Sequence, residues 1–190
     1  MTPPSQRPVR DADDTVGQAT ANLLGAVALV ITDRTTGRVE DACAQSGAAP
    51  AALSALRHML TRPSLDDLGQ VLGLTPSGTV RLVDRLAAAG LVTRGPGPDG
   101  RTRSLVLTAA GRRAATHITS ARADYLRGLL SGLTEPERTQ LHALLGKIVT
   151  AVVEEKDDGP WTCRLCDLNA CGRPFGDCPT ANAARAKYQP

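Results

Sequence analysis

The sequence predicts a mainly α-helical (α+β) chain in which long helices flank a central helix-turn-helix and a β-hairpin. Three observations indicate this fold. Apolar residues recur at helical spacing towards both ends of the chain. Capping residues and glycines divide its middle into short helices, and a Gly/Pro-rich stretch separates two runs typical of strands. With 42% hydrophobic and 22% charged residues, the 190-residue chain has the composition of one globular domain with an appendage.

The N-terminal part predicts a flexible leader followed by a long helix. Residues 1–13 are rich in proline and polar residues and have no period. Residues 14–47 carry apolar side chains on one helical face, marked by Leu24, Val27 and Ile31. The longest apolar run is shorter than half of the ~20 residues that cross a bilayer, so we expect no membrane span. The leader lacks the apolar core of a secretory signal, so we expect a cytoplasmic protein.

Two capping motifs divide the next stretch into short helices. A helix with Leu53 and Leu56 facing inward ends before Pro63. Ser64 and Asp67 form a variant of the capping box, and the helix that they start stops at a glycine suited to a left-handed C-terminal position. Thr75 then caps a third helix with proline at its first position, where the missing N–H costs nothing. Two short helices joined by a three-residue turn are typical of a helix-turn-helix.

A β-hairpin is predicted after the third short helix. Residues 91–94 favour a strand, residues 95–100 are a Gly/Pro-rich loop that cannot be helical, and residues 101–108 favour a returning strand. Thr108 then caps a long helix, and Thr134 with Glu137 opens another. Apolar residues stripe that last helix, and a cysteine-rich tail occupies residues 159–190.

The central residues resemble the MarR family of winged helix-turn-helix transcriptional regulators. Five motifs in order carry the resemblance: Leu65–Leu74, Thr79–Leu86, Gly90–Arg94, Asp99–Arg101 and Leu107–Gly111. The resemblance implies a winged helix-turn-helix DNA-binding domain over residues 48–110. It also implies that the helices in residues 14–47 and 111–158 form a homodimer. The cysteine tail is not part of the general family pattern.

By this resemblance the chain is a sequence-specific DNA-binding regulator, and we expect a repressor. A homodimer predicts an inverted-repeat operator in double-stranded DNA, with half-sites about 10 bp apart. The stretch from Arg57 to Arg113 holds nine arginines against four acidic residues, which favours a polyanion partner. The second helix of such a motif presents its N-terminal side chains to base edges in the major groove. Here those are Thr75, Pro76, Ser77, Gly78, Thr79 and Arg81.

The hairpin supplies further candidate DNA contacts. Arg101 and Arg103 lie two apart on one strand and therefore on one face, where they reach the minor groove or its phosphates. By the resemblance, Asp99 holds Arg101 in place through a salt bridge. Arg85 has two interpretations, because it can contact a phosphate or pair with Asp84 or Asp67.

The tail predicts a cysteine centre. Cys163, Cys166, Cys171 and Cys178 have the spacing C-x2-C-x4-C-x6-C, and all three histidines lie elsewhere in the sequence. Clustered thiolates are ligands for zinc, our first interpretation, or for an iron–sulfur cluster. The third alternative has no cofactor and treats the cysteines as a thiol switch. The tail is thus a structural metal site or a metal or redox sensor.

Two other functions compete with DNA binding. A thiol–disulfide oxidoreductase would use Cys163 and Cys166, but no thioredoxin-like βαβ pattern surrounds them, so we expect no enzyme. A winged-helix adaptor would bind protein, which the arginine-rich hairpin disfavours. A small-molecule effector is compatible with the family, but the sequence identifies none.

Overall fold

The structure is a computed structural model that describes residues 15–59, 63–97, 103–155 and 162–188. The chain divides into two compact units, one ending at Gly37 and the other starting at Arg38. Helix α1, Thr15–Cys43, runs through this division. All other elements lie in the second unit.

Helix α1 carries exposed apolar side chains along its N-terminal half, among them Leu23, Val27 and Val30. By length and composition, the stretch Val16–Cys43 is apolar enough to cross a membrane. Its most apolar segment of 18 residues has a mean hydropathy of 1.3, and none of that segment is buried. This stretch is longer than the unbroken apolar run because small and uncharged polar residues extend it on both sides. An exposed apolar helix face is also what a dimerisation helix requires.

The predicted helix-turn-helix is confirmed in its elements and caps. It consists of α2 (Ala49–His58), α3 (Leu65–Leu72) and α4 (Pro76–Ala88). Gly73 ends α3 with φ of 64°, the left-handed conformation that glycine adopts without strain. The hydroxyl of Thr75 accepts the backbone N–H of Gly78 at 3.2 Å and so caps α4. The capping residues and glycines were sufficient to predict these helices from the sequence, because each helix boundary is set by a local hydrogen bond.

Ser64 and Asp67 complete a reciprocal capping box at the start of α3. The Ser64 hydroxyl accepts the Asp67 backbone N–H at 3.1 Å, and the Asp67 carboxylate accepts the Ser64 backbone N–H at 2.8 Å. The hydrogen bond from the Ser64 backbone, and then that from its hydroxyl, lower the pKa of Asp67. The helix start is therefore stabilised by the ionised carboxylate.

We expect Asp67→Asn to lower the free energy of unfolding at neutral pH but not in strong acid. A carboxyl with a lower pKa in the folded than in the unfolded chain stabilises the fold above its ordinary value of 3.8. That contribution disappears as the pH falls through the folded-state pKa, because both variants are then uncharged at this position. Urea titrations across this pH range measure the effect, and Asp66→Asn, outside the capping box, is the control. A difference between Asp67→Asn and wild type that is independent of pH would contradict the assignment.

The hairpin consists of β1 (Val92–Pro96) and β2 (Arg103–Leu107), paired antiparallel with Val92 opposite Leu107. Strand β1 is longer than predicted, because Gly95 and Pro96 belong to it and not to the loop. The Ser104 hydroxyl donates to the Pro96 carbonyl at 2.9 Å, and this bond between the strands holds Gly95 and Pro96 in the ladder. The pairing therefore overrides the turn preference of the Gly-Pro dipeptide.

The core of the second unit lies between the short helices, the hairpin and α5 (Ala109–Leu130). Thr108 joins them: its N–H donates to the Leu91 carbonyl at 3.0 Å, and its hydroxyl donates to the Gly90 carbonyl at 2.7 Å while accepting the N–H of Gly111 at 3.0 Å. The fully buried large side chains include Leu53, Leu68, Val83, Leu86, Val92 and Ile118. The end of the hairpin is thereby fixed to the start of α5.

Helix α6 (Glu135–Glu155) is followed by a tail that contains two further helical elements. Residues Arg173–Phe175 form one turn of 3-10 helix, and α7 (Pro179–Tyr188) packs against α6. The Lys187 ammonium donates to the Val153 carbonyl at 3.3 Å. The sequence analysis missed α7, although proline at its first position followed by an alanine-rich run is a helix signal.

Candidate nucleic-acid interface

The N-terminal face of α4 is exposed as a DNA-reading helix requires. Pro76, Ser77 and Arg81 are exposed and share this face. Thr75 is exposed as well, but its hydroxyl is engaged in the cap and lies 3.5 Å from the Ser77 hydroxyl. Ser77 and Arg81 thus offer polar groups that α4 does not need for its own fold.

Thr79 does not belong to this face, and its inclusion among the candidate DNA contacts was wrong. Its side chain is only 1% exposed, and its hydroxyl donates to the Thr75 carbonyl at 3.1 Å. A Cβ atom on Gly69 of α3 would lie 2.9 Å from that hydroxyl. Helices α3 and α4 therefore pack closely at Thr79. Position 69 requires glycine because the Thr79 hydroxyl leaves no room for a larger side chain there.

Val80, an apolar residue of α4, is 39% exposed. It lies beside Arg81 and one turn from Ser77, on the same exposed face. An apolar side chain in the major groove contacts the methyl group of thymine. The sequence signal was ambiguous, because valine at this position fits a core stripe as well as a base contact.

An ion pair fixes the hairpin to α4. The Arg94 guanidinium of β1 lies 2.5 Å from the Asp84 carboxylate of α4. Two consequences follow. The carboxylate on the exposed face of α4 is neutralised where it would repel phosphate, and the hairpin is held at a defined angle to the helix.

Of the remaining basic candidates, the structure describes Arg85 and Arg103 but not Arg101. Arg85 donates to the Ser46 carbonyl at 3.4 Å and makes neither predicted pair, since Asp84 binds Arg94 and Asp67 caps α3. Arg103 is exposed at the start of β2. Arg101 and its predicted support Asp99 lie outside the described residues, as does the tip of the hairpin.

The cysteine tail presents a pair of interacting thiols. Residues 163–166 form a turn in which the Cys166 N–H donates to the Cys163 carbonyl at 3.0 Å. The interaction between the two side chains raises the pKa of Cys163 and lowers the pKa of Cys166 to about 6. Arg122 of α5 and Arg164 also lower the pKa of Cys166, against the opposing effects of burial and Asp167. Of the two thiols, Cys166 is thus the more acidic.

The other two tail cysteines are arranged differently. Cys178 is buried and near enough to Cys163 to repel its thiolate form. The Cys171 thiol donates to the Leu168 carbonyl at 3.6 Å. Within the described ranges, no three His, Cys, Asp or Glu side chains converge as the ligands of a metal ion do. Cys178 thus lies near Cys163, whereas the Cys171 thiol bonds to the backbone.

The tail is seated on the winged helix-turn-helix domain. Leu165, between the paired cysteines, packs against the core that α2, α4 and α5 share. The His58 ring at the end of α2 interacts with the backbone of Cys166, and its Nε2 atom is buried without a hydrogen-bond partner. Burial, followed by the neighbouring charge of Arg57, lowers the pKa of His58. The cysteine turn therefore touches two helices of the candidate DNA-binding domain.

Comparison with known proteins agrees with this description. Residues 46–102 match the model of the MarR family, which contains transcription regulators and not enzymes. No curated protein matches the sequence. The matched segment contains the helix-turn-helix and the first strand of the hairpin, and it ends before β2 and the cysteine tail.

Solved structures share the fold. A MarR family protein from Bacillus stearothermophilus has a TM-score of 0.65 at 20% identity, over 75% of this chain and 99% of that one. RV1404 from Mycobacterium tuberculosis has a TM-score of 0.59 at 27% identity, over 74% and 95% of the two chains. MepR from Staphylococcus aureus, in a complex with DNA, has a TM-score of 0.54 at 20% identity, over 70% and 95%.

Proposed function

We propose that this chain, whose residues 46–102 match the MarR family and whose fold is that of MarR-family regulators, is a homodimeric repressor. It binds an inverted-repeat operator in double-stranded DNA and acts in the cytoplasm. Repression needs only that the bound dimer occupies the operator, which a DNA-binding domain and a dimer interface accomplish together. The winged-helix adaptor is the second candidate, and no described contact favours it.

The exposed face of α4 is the observation that carries the proposal. Ser77, Val80 and Arg81 stand on one side of a helix whose opposite side is buried in the core. They offer a hydroxyl, an apolar group and a guanidinium, which are three of the side-chain types that read base edges in the major groove. The Arg94 guanidinium balances the charge of Asp84, the one acidic residue of α4.

Selection from a pool of random DNA duplexes tests the proposal. We expect an enriched site with twofold symmetry and half-site centres about 10 bp apart, because the two recognition helices of a dimer face the same side of the duplex. Binding measured by gel shift at two salt concentrations should weaken steeply with salt, as phosphate contacts require. Failure to enrich any duplex would overturn DNA recognition and favour the adaptor.

The dimer is supported by apolar residues that nothing in one described chain covers. On α6, Leu144, Leu145, Ile148 and Val152 are each 40% exposed or more. We expect Ile148→Asp to shift the protein from dimer to monomer in light scattering, because a buried, unpaired carboxylate at an interface is strongly unfavourable.

Thr139→Asp is the matched control for this variant. It adds the same charge to an exposed position of α6 about two and a half turns away, which places it on the opposite side of the helix. A dimer that survives Ile148→Asp as well as Thr139→Asp would show that α6 is not the interface.

We propose that the tail is the metal- or redox-sensing element of the regulator. Zinc, an iron–sulfur cluster and a thiol switch are the chemistries compatible with the spacing of its cysteines. A metal bound by all four would require the side chains of these cysteines to converge on one point. Metal and sulfide analysis of anaerobically purified protein separates a colourless protein with one zinc per chain from a brown iron–sulfur protein and from free thiols.

A further inference from the structure

An apolar groove runs between α6 and the start of α7. Leu145, Ile148 and Val152 of α6 line one part of it together with Pro179, the first residue of α7. This part has a volume of about 350 Å³, and an adjoining part near Lys147 has a volume of about 460 Å³. An apolar cavity of about 150 Å³ is large enough to hold benzene. Each part of the groove therefore has room for an aromatic ring.

The groove is open because α7 approaches α6 closely at only one side of it. Gly146 lies in the groove, and a Cβ atom there would be 3.4 Å from Cγ of Pro179. The α6 side chains that form the walls, Leu145, Ile148 and Val152, are each 40% exposed or more. Nothing in one described chain therefore covers the groove.

The tail also presents an exposed aromatic side chain on a well-defined turn. Phe175 is 81% exposed, more than any other large apolar residue that the structure describes. The Gly172 carbonyl closes the turn by accepting the N–H groups of Phe175 at 3.0 Å and of Asp177 at 3.1 Å. Gly172 and Gly176 have φ of 67° and 80°, a conformation that glycine adopts without strain. The ring is thus presented from a fixed backbone, which lowers the entropy lost on binding.

This turn is attached to the end of α7 that lines the groove. Phe175 precedes Pro179 by four residues, so their Cα atoms lie within about 14 Å of each other. The Asn182 side-chain amide donates to the Gly176 carbonyl at 2.6 Å and ties the turn to the first turn of α7. The exposed ring and the groove are therefore close neighbours. A twofold axis between them would place the ring of each copy in the groove of the other.

The charges around the groove and the turn are complementary. His142 and Lys147 line the groove, and no acidic side chain of the described residues does. Asp177 lies exposed between Phe175 and α7, whereas Arg173, the other charge of the turn, precedes Phe175. Neither Lys147 nor Asp177 has an ion-pair partner within the part of one chain that the structure describes. In the twofold arrangement, Asp177 approaches Lys147 of the partner subunit.

We propose that the tail is part of the dimer interface, in which Phe175 inserts into the groove between α6 and α7 of a second copy of this chain. The inference rests on the homodimer of the proposed function and names a segment that joins its subunits. The groove shares Leu145, Ile148 and Val152 with the exposed apolar residues of α6 that support the dimer. The contact is therefore continuous with that interface, and each dimer contains it twice.

A photo-crosslinking amino acid at position 175 tests where the ring lies. The full-length protein carries p-benzoylphenylalanine in place of Phe175, and isotope-labelled chains are mixed with unlabelled chains so that mass spectrometry tells the subunits apart. We expect light to produce a covalent dimer in which position 175 of one chain is joined to α6 of the other. A cross-link within one chain, a cross-link to α1 of the other chain, or the absence of a covalent dimer would overturn the proposal.

Removal of the ring tests how much the contact contributes. We expect Phe175→Ser to raise the dissociation constant of the dimer at least about tenfold in analytical ultracentrifugation, because each dimer loses two buried aromatic side chains. Val106→Thr removes an exposed apolar side chain from the hairpin and is the control, which should leave the dissociation constant unchanged. The same dissociation constant in Phe175→Ser and wild type would rule out the contact.

Reversal of the two charges tests how the turn is oriented in the groove. Lys147→Glu and Asp177→Lys should each weaken the dimer, because each brings like charges together. The variant that carries both substitutions should recover most of the loss, since the pair is restored with its signs exchanged. Losses that simply add in the double variant would contradict the proposed arrangement of the subunits.

The two proposals fail in distinguishable ways. A wild-type protein that stays monomeric at all concentrations would overturn the homodimer of the proposed function. A dimer that binds the selected duplex and is lost in Ile148→Asp, but is unaffected by Phe175→Ser, would leave the regulator standing and overturn only the contact made by the tail.

Discussion

Gly111→Ala is expected to destabilise the protein by about 3 kcal/mol, because the added methyl group has no space. Gly111 is buried in the first turn of α5, and a Cβ atom there would overlap the Leu91 carbonyl oxygen and lie 3.2 Å from Cδ2 of Leu107. The Leu91 carbonyl cannot retreat without losing its hydrogen bond from the Thr108 N–H. Urea denaturation at a fixed protein concentration measures the loss.

Gly128→Ala provides the matched control in the same helix. Gly128 is exposed, and nothing lies within 4 Å of its added Cβ. We expect this variant to be more stable than wild type by about 0.5–1 kcal/mol, because alanine has the higher helix propensity. If both glycine variants moved the unfolding midpoint in the same direction, the close approach of α5 to Leu91 would not be what requires glycine.

Arg81→Ala is expected to cost about 1–3 kcal/mol of operator binding and to relax base preference at one position in each half-site. Its guanidinium stands on the exposed face of α4, where it can make two hydrogen bonds to a guanine. Affinity for the selected duplex, and for variants of it changed one base pair at a time, measures both effects.

Two arginines serve as comparisons for Arg81. Arg103→Ala, on the hairpin, should weaken binding to all sequences about equally and reduce its salt dependence if, as proposed, it contacts phosphates beside the minor groove. Arg127→Ala removes the same charge near the far end of α5, where the arginine pairs with Asp124, and should leave binding unchanged. Equal affinity of wild type and Arg81→Ala for every duplex would remove Arg81 from the reading face.

The sequence predicted the helix boundaries of the centre because they depend on local hydrogen bonds. Ser64, Thr75 and Thr108 each accept a backbone N–H three residues ahead, and Gly73 turns the chain as its residue type indicates. The match of Gly111 to a family motif indicated that glycine belongs there, but only the structure supplies the cause, which is the Leu91 carbonyl.

The errors arose where tertiary contacts decide the outcome. Thr79 faces inward because α3 approaches closely at Gly69, and Val80 faces outward as a result. Arg85 finds a carbonyl on the loop before α2, a partner that no local pattern indicates.

The two-stranded hairpin has a consequence for how molecules behave when crowded together on a chromosome. A small sheet invites strand addition by a neighbouring copy, which is a route to aggregation. On one side the Leu105 N–H is already bonded to Pro63, and in β1 Pro96 has no N–H to donate, while Arg94 adds a charge. Neighbouring molecules at adjacent sites are thereby kept from joining edge to edge through their hairpins.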